Sequence, residues 1–235
     1  MTMCALLFCA SLTAQKKKVI QLPDFDKRPL YWGFYLGLNT INYKLSMSVV
    51  DPYYKDGKNY ERNTTITIDN KPGFNVGLIG GFKLRDNIDL HFEPGLYSNA
   101  STIQYQPEIE TEKREISSTF LHIPILLKIS TNRLNNIRPY FVGGVAYDHN
   151  FSSNQENGDD NSAQQFRMKT HNFMYEIGFG MDFYFPYFKF SPSIRGLFAI
   201  NNELHPDNPT PGGSPWTDPI DYMGTRGLFL KLAFE

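Results

Sequence analysis

Between Phe173 and Phe185 the residues sort into two sets by simple alternation. One set is Phe173, Tyr175, Ile177, Phe179, Met181, Phe183 and Phe185; the other is Met174, Glu176, Gly178, Gly180, Asp182 and Tyr184. A helix repeats every 3.6 residues and would mix these sets, whereas a strand places them on opposite faces. This strict period of two constrains the fold more than any other feature of the chain. It recurs in Trp32, Phe34, Leu36 and Leu38 against Gly33, Tyr35, Gly37 and Asn39. It recurs again in Phe74 to Leu84 against Asn75 to Arg85, and in Ile88, Leu90 and Phe92 against Asp89, His91 and Glu93. Leu121 to Ile129 alternate with His122, Pro124, Leu126 and Lys128; Phe190, Ile194, Phe198 and Ile200 share a face opposite Arg195; Leu228 to Phe234 close the chain opposite Lys231 and Glu235. A Gly-rich stretch, Arg138 to His149, completes a set of eight expected strands, although its faces do not sort cleanly.

The connections alternate in length. Long ones are expected from about Leu45 to Lys71, Ser98 to Glu115, Asn150 to Thr170 and Asn202 to Gly224. Short ones are expected at Asp86-Asn87, Thr131 to Ile137 and Pro186-Tyr187. Long and short loops in alternation mark a barrel inserted from one side of a membrane, and an even strand count puts both termini on the side of the short turns. The expectation is an all-β fold, an eight-stranded antiparallel up-and-down transmembrane barrel over residues 31–235, with both termini periplasmic.

Alternation alone does not say which face is wet. A soluble lipocalin-like barrel would turn its charges outward and line a pocket with aromatics. Three features favour the membrane arrangement. The apolar faces are uncharged and long enough for the roughly 9–11 residues of a tilted spanning strand. The opposite faces combine Gly with charges of both signs (Lys83, Arg85, Asp89, His91, Glu93, Glu176, Asp182, Arg195, Lys231), as a narrow, filled lumen requires. Aromatics stand at the expected strand ends (Tyr31, Trp32, Tyr97, Tyr140, Tyr184, Tyr187, Phe188), where an interfacial girdle belongs. The abundance of strand-favouring Phe and Tyr, 19 and 14 residues, agrees. No apolar run reaches the roughly 20 residues of a membrane helix, and a mean hydropathy of -0.39 suits strands that are apolar on one face only.

Residues 1–14 are short, apolar and end in small residues, so they read as a secretory signal cleaved after Ala14, without a basic start. Both cysteines, Cys4 and Cys9, fall inside it; a lipoprotein reading of Cys9 has the bulky Phe8 against it. The mature chain then has no disulfide or thiol chemistry. Residues 15–30 form a periplasmic stub.

Nothing in the residues specifies an active site. The net charge of -1 gives no electrostatic case for nucleic acid. His91 shares a face with Asp89 and Glu93, and an HxE pair could bind a metal or move a proton; an interior salt-bridge network is the better reading, and His122 reads as a lumenal, satisfied structural histidine. His149 and His171 flank one long loop and could meet at its base as two metal ligands, while His205 belongs in solvent. The acidic residues Glu156, Asp159 and Asp160 lack the spacing of a calcium loop. Gly80-Gly81 and Gly143-Gly144 read as bends or lumen space. The expectation is a non-enzymatic chain with no catalytic, cofactor-binding or metal residues, no cofactor and no small-molecule substrate. Its partners are outer-membrane lipid and other proteins.

Four ordered blocks, HIPILLKIS (122–130), RPYFVGGVAYD (138–148), EIGFGMDFYF (176–185) and FSPSIRGLFAINN (190–202), are similar to the outer-membrane β-barrel family common in Bacteroidota. More narrowly, LPDFDKRPLYWGFYLGLN (22–39) resembles the entry into the barrel of the PorT (SprT) proteins, components of the type IX secretion system. That resemblance implies a part in exporting proteins across the outer membrane, as an accessory or assembly component, and implies no catalytic residues. The competing reading is a stand-alone surface barrel, an adhesin or envelope-stability protein, that binds partners through its long loops. A lipid- or peptide-modifying barrel enzyme and a small-solute pore are the remaining alternatives.

Overall fold

The structure is a computed structural model; it describes residues 19–47, 53–55, 58–60, 65–106, 112–153, 155–156, 167–206 and 220–235. The expected signal segment, Asp159 and Asp160, and much of the long loops lie outside the described residues. The strands are β1 (Leu30–Met47), β2 (Tyr53–Lys55), β3 (Lys58–Tyr60), β4 (Thr65–Lys71), β5 (Gly73–Arg85), β6 (Ile88–Phe92), β7 (Gly95–Gln106), β8 (Glu112–Ser130), β9 (Ile137–Asn150), β10 (His171–Tyr184), β11 (Lys189–Ala199) and β12 (Ile220–Phe234).

All neighbours pair antiparallel, in the order β1-β12-β11-β10-β9-β8-β6-β5-β7-β4, and β1 pairs with β5 to close the ring. The expected first long loop, Leu45 to Lys71, ends in strand: β4 extends the β5 stave, and β7 likewise extends the β6 stave, each stave being broken once. Pro72, which has no N–H to give a ladder, separates β4 from β5; Glu93-Pro94 separates β6 from β7. Counting each broken pair as one stave gives the eight staves of the expected barrel. β2 and β3 form a separate small hairpin in the first long connection.

The break at Pro72 leaves a seam. The β1–β5 ladder runs from Leu30↔Phe82 to Asn39↔Gly73 and stops there. Above it, β1 pairs only with β12 as far as Met47, and β4 pairs only with β7. Tyr43 of β1 and Asn99 of β7 bridge the seam on the inside, with Asn99 Nδ2 donating to the Tyr43 hydroxyl at 2.6 Å.

The expected second long loop, Ser98 to Glu115, is largely strand: β7 continues to Gln106 and β8 starts at Glu112. Ser98, Ala100, Thr102 and Gln104 alternate here with Asn99, Ser101 and Ile103, which left no amphipathic signal to read.

The faces are inverted relative to a soluble protein. Phe141 is 68% exposed and Trp32 69%, while Glu93 is fully buried and Arg195 is 3% exposed. A continuous apolar belt of this extent on a water-facing surface would aggregate; in a bilayer it faces acyl chains. The Gly-rich β9 resolves here: Phe141 and Val145 point out, and Arg138, Tyr140, Val142 and Asp148 point in. The aromatic girdle needs correction. Trp32, Tyr187 and Phe188 are exposed, but Tyr31, Tyr97, Tyr140 and Tyr184 are buried in the lumen. Each shares its strand parity with an inward polar residue or glycine, so parity overrides the preference of Tyr for interfaces.

Candidate functional site: a filled lumen closed at both ends

Four glycines on the inward faces make room for three large rings. A Cβ at Gly81 would run into the Tyr31 ring, at Gly180 it would lie 2.5 Å from the Tyr140 ring, and Gly77 and Gly95 both lie under Tyr35. Each tyrosine lies over the glycine that pairs with it on the neighbouring strand, Tyr31 over Gly81, Tyr35 over Gly77 and Tyr140 over Gly180.

Between these rings sits a layer of buried charges. Arg195 on β11 donates through Nη1 to Glu93 Oε2 at 2.7 Å and to Glu176 Oε1 at 3.0 Å, and through Nη2 to Glu93 Oε1 at 3.1 Å. Lys231 on β12 reaches the same two carboxylates at 3.4 and 3.5 Å. Two glutamates thus face two cations. His91 Nδ1 lies 3.0 Å from Glu93 Oε1, where a carboxylate can only accept, and its Nε2 lies 2.8 Å from the Tyr31 hydroxyl. His122 has a carboxylate at each nitrogen, Asp148 at 2.5 Å and Glu176 at 3.2 Å, so both nitrogens donate. Nearer the termini, Lys128 donates to Asp182 at 2.9 Å and lies over the Tyr140 ring at 4.0 Å. The HxE pair of His91 and Glu93 sits in the interior network expected of it, with Arg195, Lys231 and Glu176, and the lumenal His122 joins that network through Asp148 and Glu176. No group of three or more metal-ligating side chains gathers among the described residues.

Towards the long-loop end the lumen turns apolar. Ile41, Tyr97, Ile103, Phe120, Met174, Leu197 and Phe229 are buried in one cluster, with Tyr97 stacked on Phe120 at 4.8 Å. A strap at residues 201–205 lies over it. Glu203 gives its N–H to Met223 O at 2.9 Å and takes Lys169 N–H at 2.8 Å; its Oε2 accepts from Thr225 N and Oγ1 at 3.0 and 2.8 Å. Oε1 has no hydrogen-bond partner among the described residues.

Burial pushes the Glu203 carboxyl up to about 8, with the Asp148 carboxylate adding to it and the Thr225 hydrogen bonds pulling the other way. The folded state therefore holds a proton that the unfolded chain releases near 4.5. The stabilising contribution is full below that value and is lost as pH rises towards 8. Glu203→Gln is expected to flatten this slope, measured as the urea midpoint of the vesicle-embedded barrel between pH 5 and 9.

The opposite end is corked by the chain's own N-terminal segment. A single 3₁₀ turn, Phe25–Lys27, seats in the mouth. Phe25 is buried against Tyr31 and Tyr184, with ring centroids 5.6 and 6.4 Å apart, and the Lys189 ammonium lies 4.6 Å from its ring. The Asp26 carboxylate accepts from Tyr184 Oη at 2.6 Å and from Arg138 Nη1 at 3.2 Å, while Lys83 donates to its backbone carbonyl. Arg133 clamps the carbonyls of Gln21 and Leu22, and Asn136 brackets the segment by accepting from Gln21 N–H and donating to Val19 O. Residues 19–29 are thus a docked cork, where the sequence suggested only a stub. Asp26→Ala removes the acceptor shared by Tyr184 and Arg138. It is expected to speed protease cleavage in the segment several-fold while the barrel's resistance to SDS at room temperature is unchanged.

His149 and His171 face each other across β9 and β10 at the base of their loop, a meeting that the sequence left open. What sequence reading missed is the cork and its receptors, Arg133, Arg138 and Lys189. Their one sequence signal is basic residues placed next to short turns.

A closed antiparallel ring with a lipid-facing apolar belt and a charged, filled lumen defines an outer-membrane β-barrel. Residues 13–205 match the family model described as outer membrane protein beta-barrel domain, and the chain belongs to that family. Among solved structures, the outer membrane protein OprG from Pseudomonas aeruginosa superposes with a TM-score of 0.50 at 15% identity, over 86% of this chain and 94% of that one. The N-terminal β-barrel domain of Pseudomonas aeruginosa OprF aligns over 86% of this chain and 97% of that one, at 13% identity and a TM-score of 0.34. No curated protein matches the chain. The family establishes the fold and the outer-membrane location.

Proposed function

We propose that this barrel is a non-enzymatic accessory or assembly component of type IX protein secretion, with its termini in the periplasm. The observation that carries this reading is a coincidence of position. The stretch that resembles PorT proteins, Leu22 to Asn39, is the stretch that forms the cork and enters the first strand. The packed lumen supports it from another direction. With the Glu93–Arg195–Glu176–Lys231 layer across the bore, neither a polypeptide nor a hydrated solute has a path. A contribution to export then runs through surfaces: the corked mouth, the loops, or the apolar belt. The partners are other secretion-system proteins and outer-membrane lipid.

The test is export of a cargo bearing a C-terminal sorting signal in a deletion strain, with wild-type complementation. Periplasmic accumulation that complementation reverses supports the reading. Unaffected export removes it and returns the chain to a stand-alone surface barrel. A complementing chain lacking residues 15–30 separates the cork from the barrel: normal export by a correctly inserted truncated barrel would take the cork out of the account.

A further inference from the structure

We propose that His149 and His171 form a transition-metal site of the zinc, nickel or copper class on the outer face of the barrel at its long-loop end. The two residues pair directly across β9 and β10. The next rung carries the hydrogen bond, Asn150 N–H to Thr170 O at 2.8 Å, so the His149–His171 rung is the narrow one, where facing Cα atoms lie about 4.5 Å apart and side chains meet. The two imidazole centroids are 5.2 Å apart and the rings are inclined at 51°, which excludes face-to-face stacking. That spacing has a chemical meaning. Two imidazoles bound through nitrogen at about 2.1 Å to one tetrahedral ion have ring centroids roughly 5 Å apart.

A second observation orients one ligand. The Tyr147 hydroxyl lies 2.5 Å from His171 Nδ1. With Nδ1–H donating to the Tyr147 oxygen, the Nε2 lone pair is left for a metal, the arrangement by which outer-shell groups fix the tautomer of metal-bound histidines. His149 is held edge-on to Phe151, with centroids 5.1 Å apart. His171 is exposed and His149 half-buried, so an ion arrives from solvent without rearranging the strands. Water or a side chain of an incoming molecule fills the remaining positions. Imidazole nitrogen favours first-row ions such as Zn²⁺, Ni²⁺ and Cu²⁺ over Ca²⁺ or Mg²⁺.

The experiment uses the full chain, folded in detergent and stripped of metal. Zn²⁺ is titrated in competition with a chromophoric chelator, and Cu²⁺ binding is followed by electron paramagnetic resonance. The expected result is one ion per chain, with nitrogen hyperfine structure from two imidazoles. His149→Ala and His171→Gln each lower the association constant at least about tenfold and remove one nitrogen from the spectrum; Tyr147→Phe, which acts through His171, weakens it about tenfold. His205→Ala leaves both unchanged. Folding of each variant is read from its heat-dependent gel shift. Equal Zn²⁺ binding by the His149 and His171 variants, or a copper spectrum without nitrogen coupling, overturns the proposal.

Discussion

Arg195→Ala is expected to destabilise the barrel by about 3–5 kcal/mol, the cost of breaking a buried pair by removing one partner. The size follows from what is left behind. Glu93 and Glu176 are both fully buried, and Arg195 gives them three hydrogen bonds. Without it, the two carboxylates keep one histidine nitrogen each and share the looser Lys231 contacts, at 3.4 and 3.5 Å. Water does not reach the layer, because the cork closes one end and the apolar cluster the other. Arg195→Lys restores the charge without the planar fork and is expected to recover only part of the loss. Removing one charge along with the cation tests the origin of the effect: Arg195→Met combined with Glu93→Gln should lie well above Arg195→Ala, because Glu176 keeps Lys231 at 3.5 Å and no excess buried carboxylate remains. The measurement is urea unfolding in lipid vesicles, followed by tryptophan fluorescence. An Arg195→Ala midpoint equal to wild type would mean that the layer is hydrated and that the lumen is not sealed.

Gly81→Val is the second large effect. The new Cβ falls on the Tyr31 ring, and this strand cannot retreat, since Gly81 pairs with Tyr31 on one side and His91 on the other. Tyr31 must leave, giving up its contacts with His91 and Phe25. Overpacking alone costs about 1–3 kcal/mol. Loss of a buried aromatic's packing adds about 3–5 kcal/mol. A marginal barrel with this substitution is expected to stay in its unfolded, heat-denatured gel position. Tyr31→Ala in the same chain vacates the space, so the double variant should be no worse than Tyr31→Ala alone. Additive losses in this cycle would show that the glycine serves strand curvature and not the ring.

The fold was legible because lipid imposes one rule on every strand. An outward residue must be apolar, so period-two faces survive even in a single sequence, and the charged faces of Asp89, His91, Glu93, Glu176, Asp182, Arg195 and Lys231 announced the lumen. Tyrosine misled, because it suits both a membrane interface and a packed bore. Tyr31, Tyr140 and Tyr184 betray themselves only through parity with Gly33, Arg138 and Asp182. The β7–β8 hairpin was hidden for the opposite reason: Ser98, Ala100, Thr102 and Gln104 form no apolar stripe on the outward side of β7, and the pattern fades. The cork was invisible because its bonds join residues far apart in the chain. Asp26 meets Arg138 and Tyr184 across 112 and 158 positions, and no local pattern encodes such a meeting.

Those separations also order events in time. The cork's receptors come from β5, the β8–β9 turn, β9, β10 and β11, so the receiving mouth exists only after most of the ring has been laid down. Residues 19–29, which precede all of their receptors in the chain, are therefore among the last to settle, and the entropy of closing so long a loop is met only when all the receptors are in place. A seated cork is a timestamp: it distinguishes a finished barrel from every partial sheet that precedes it.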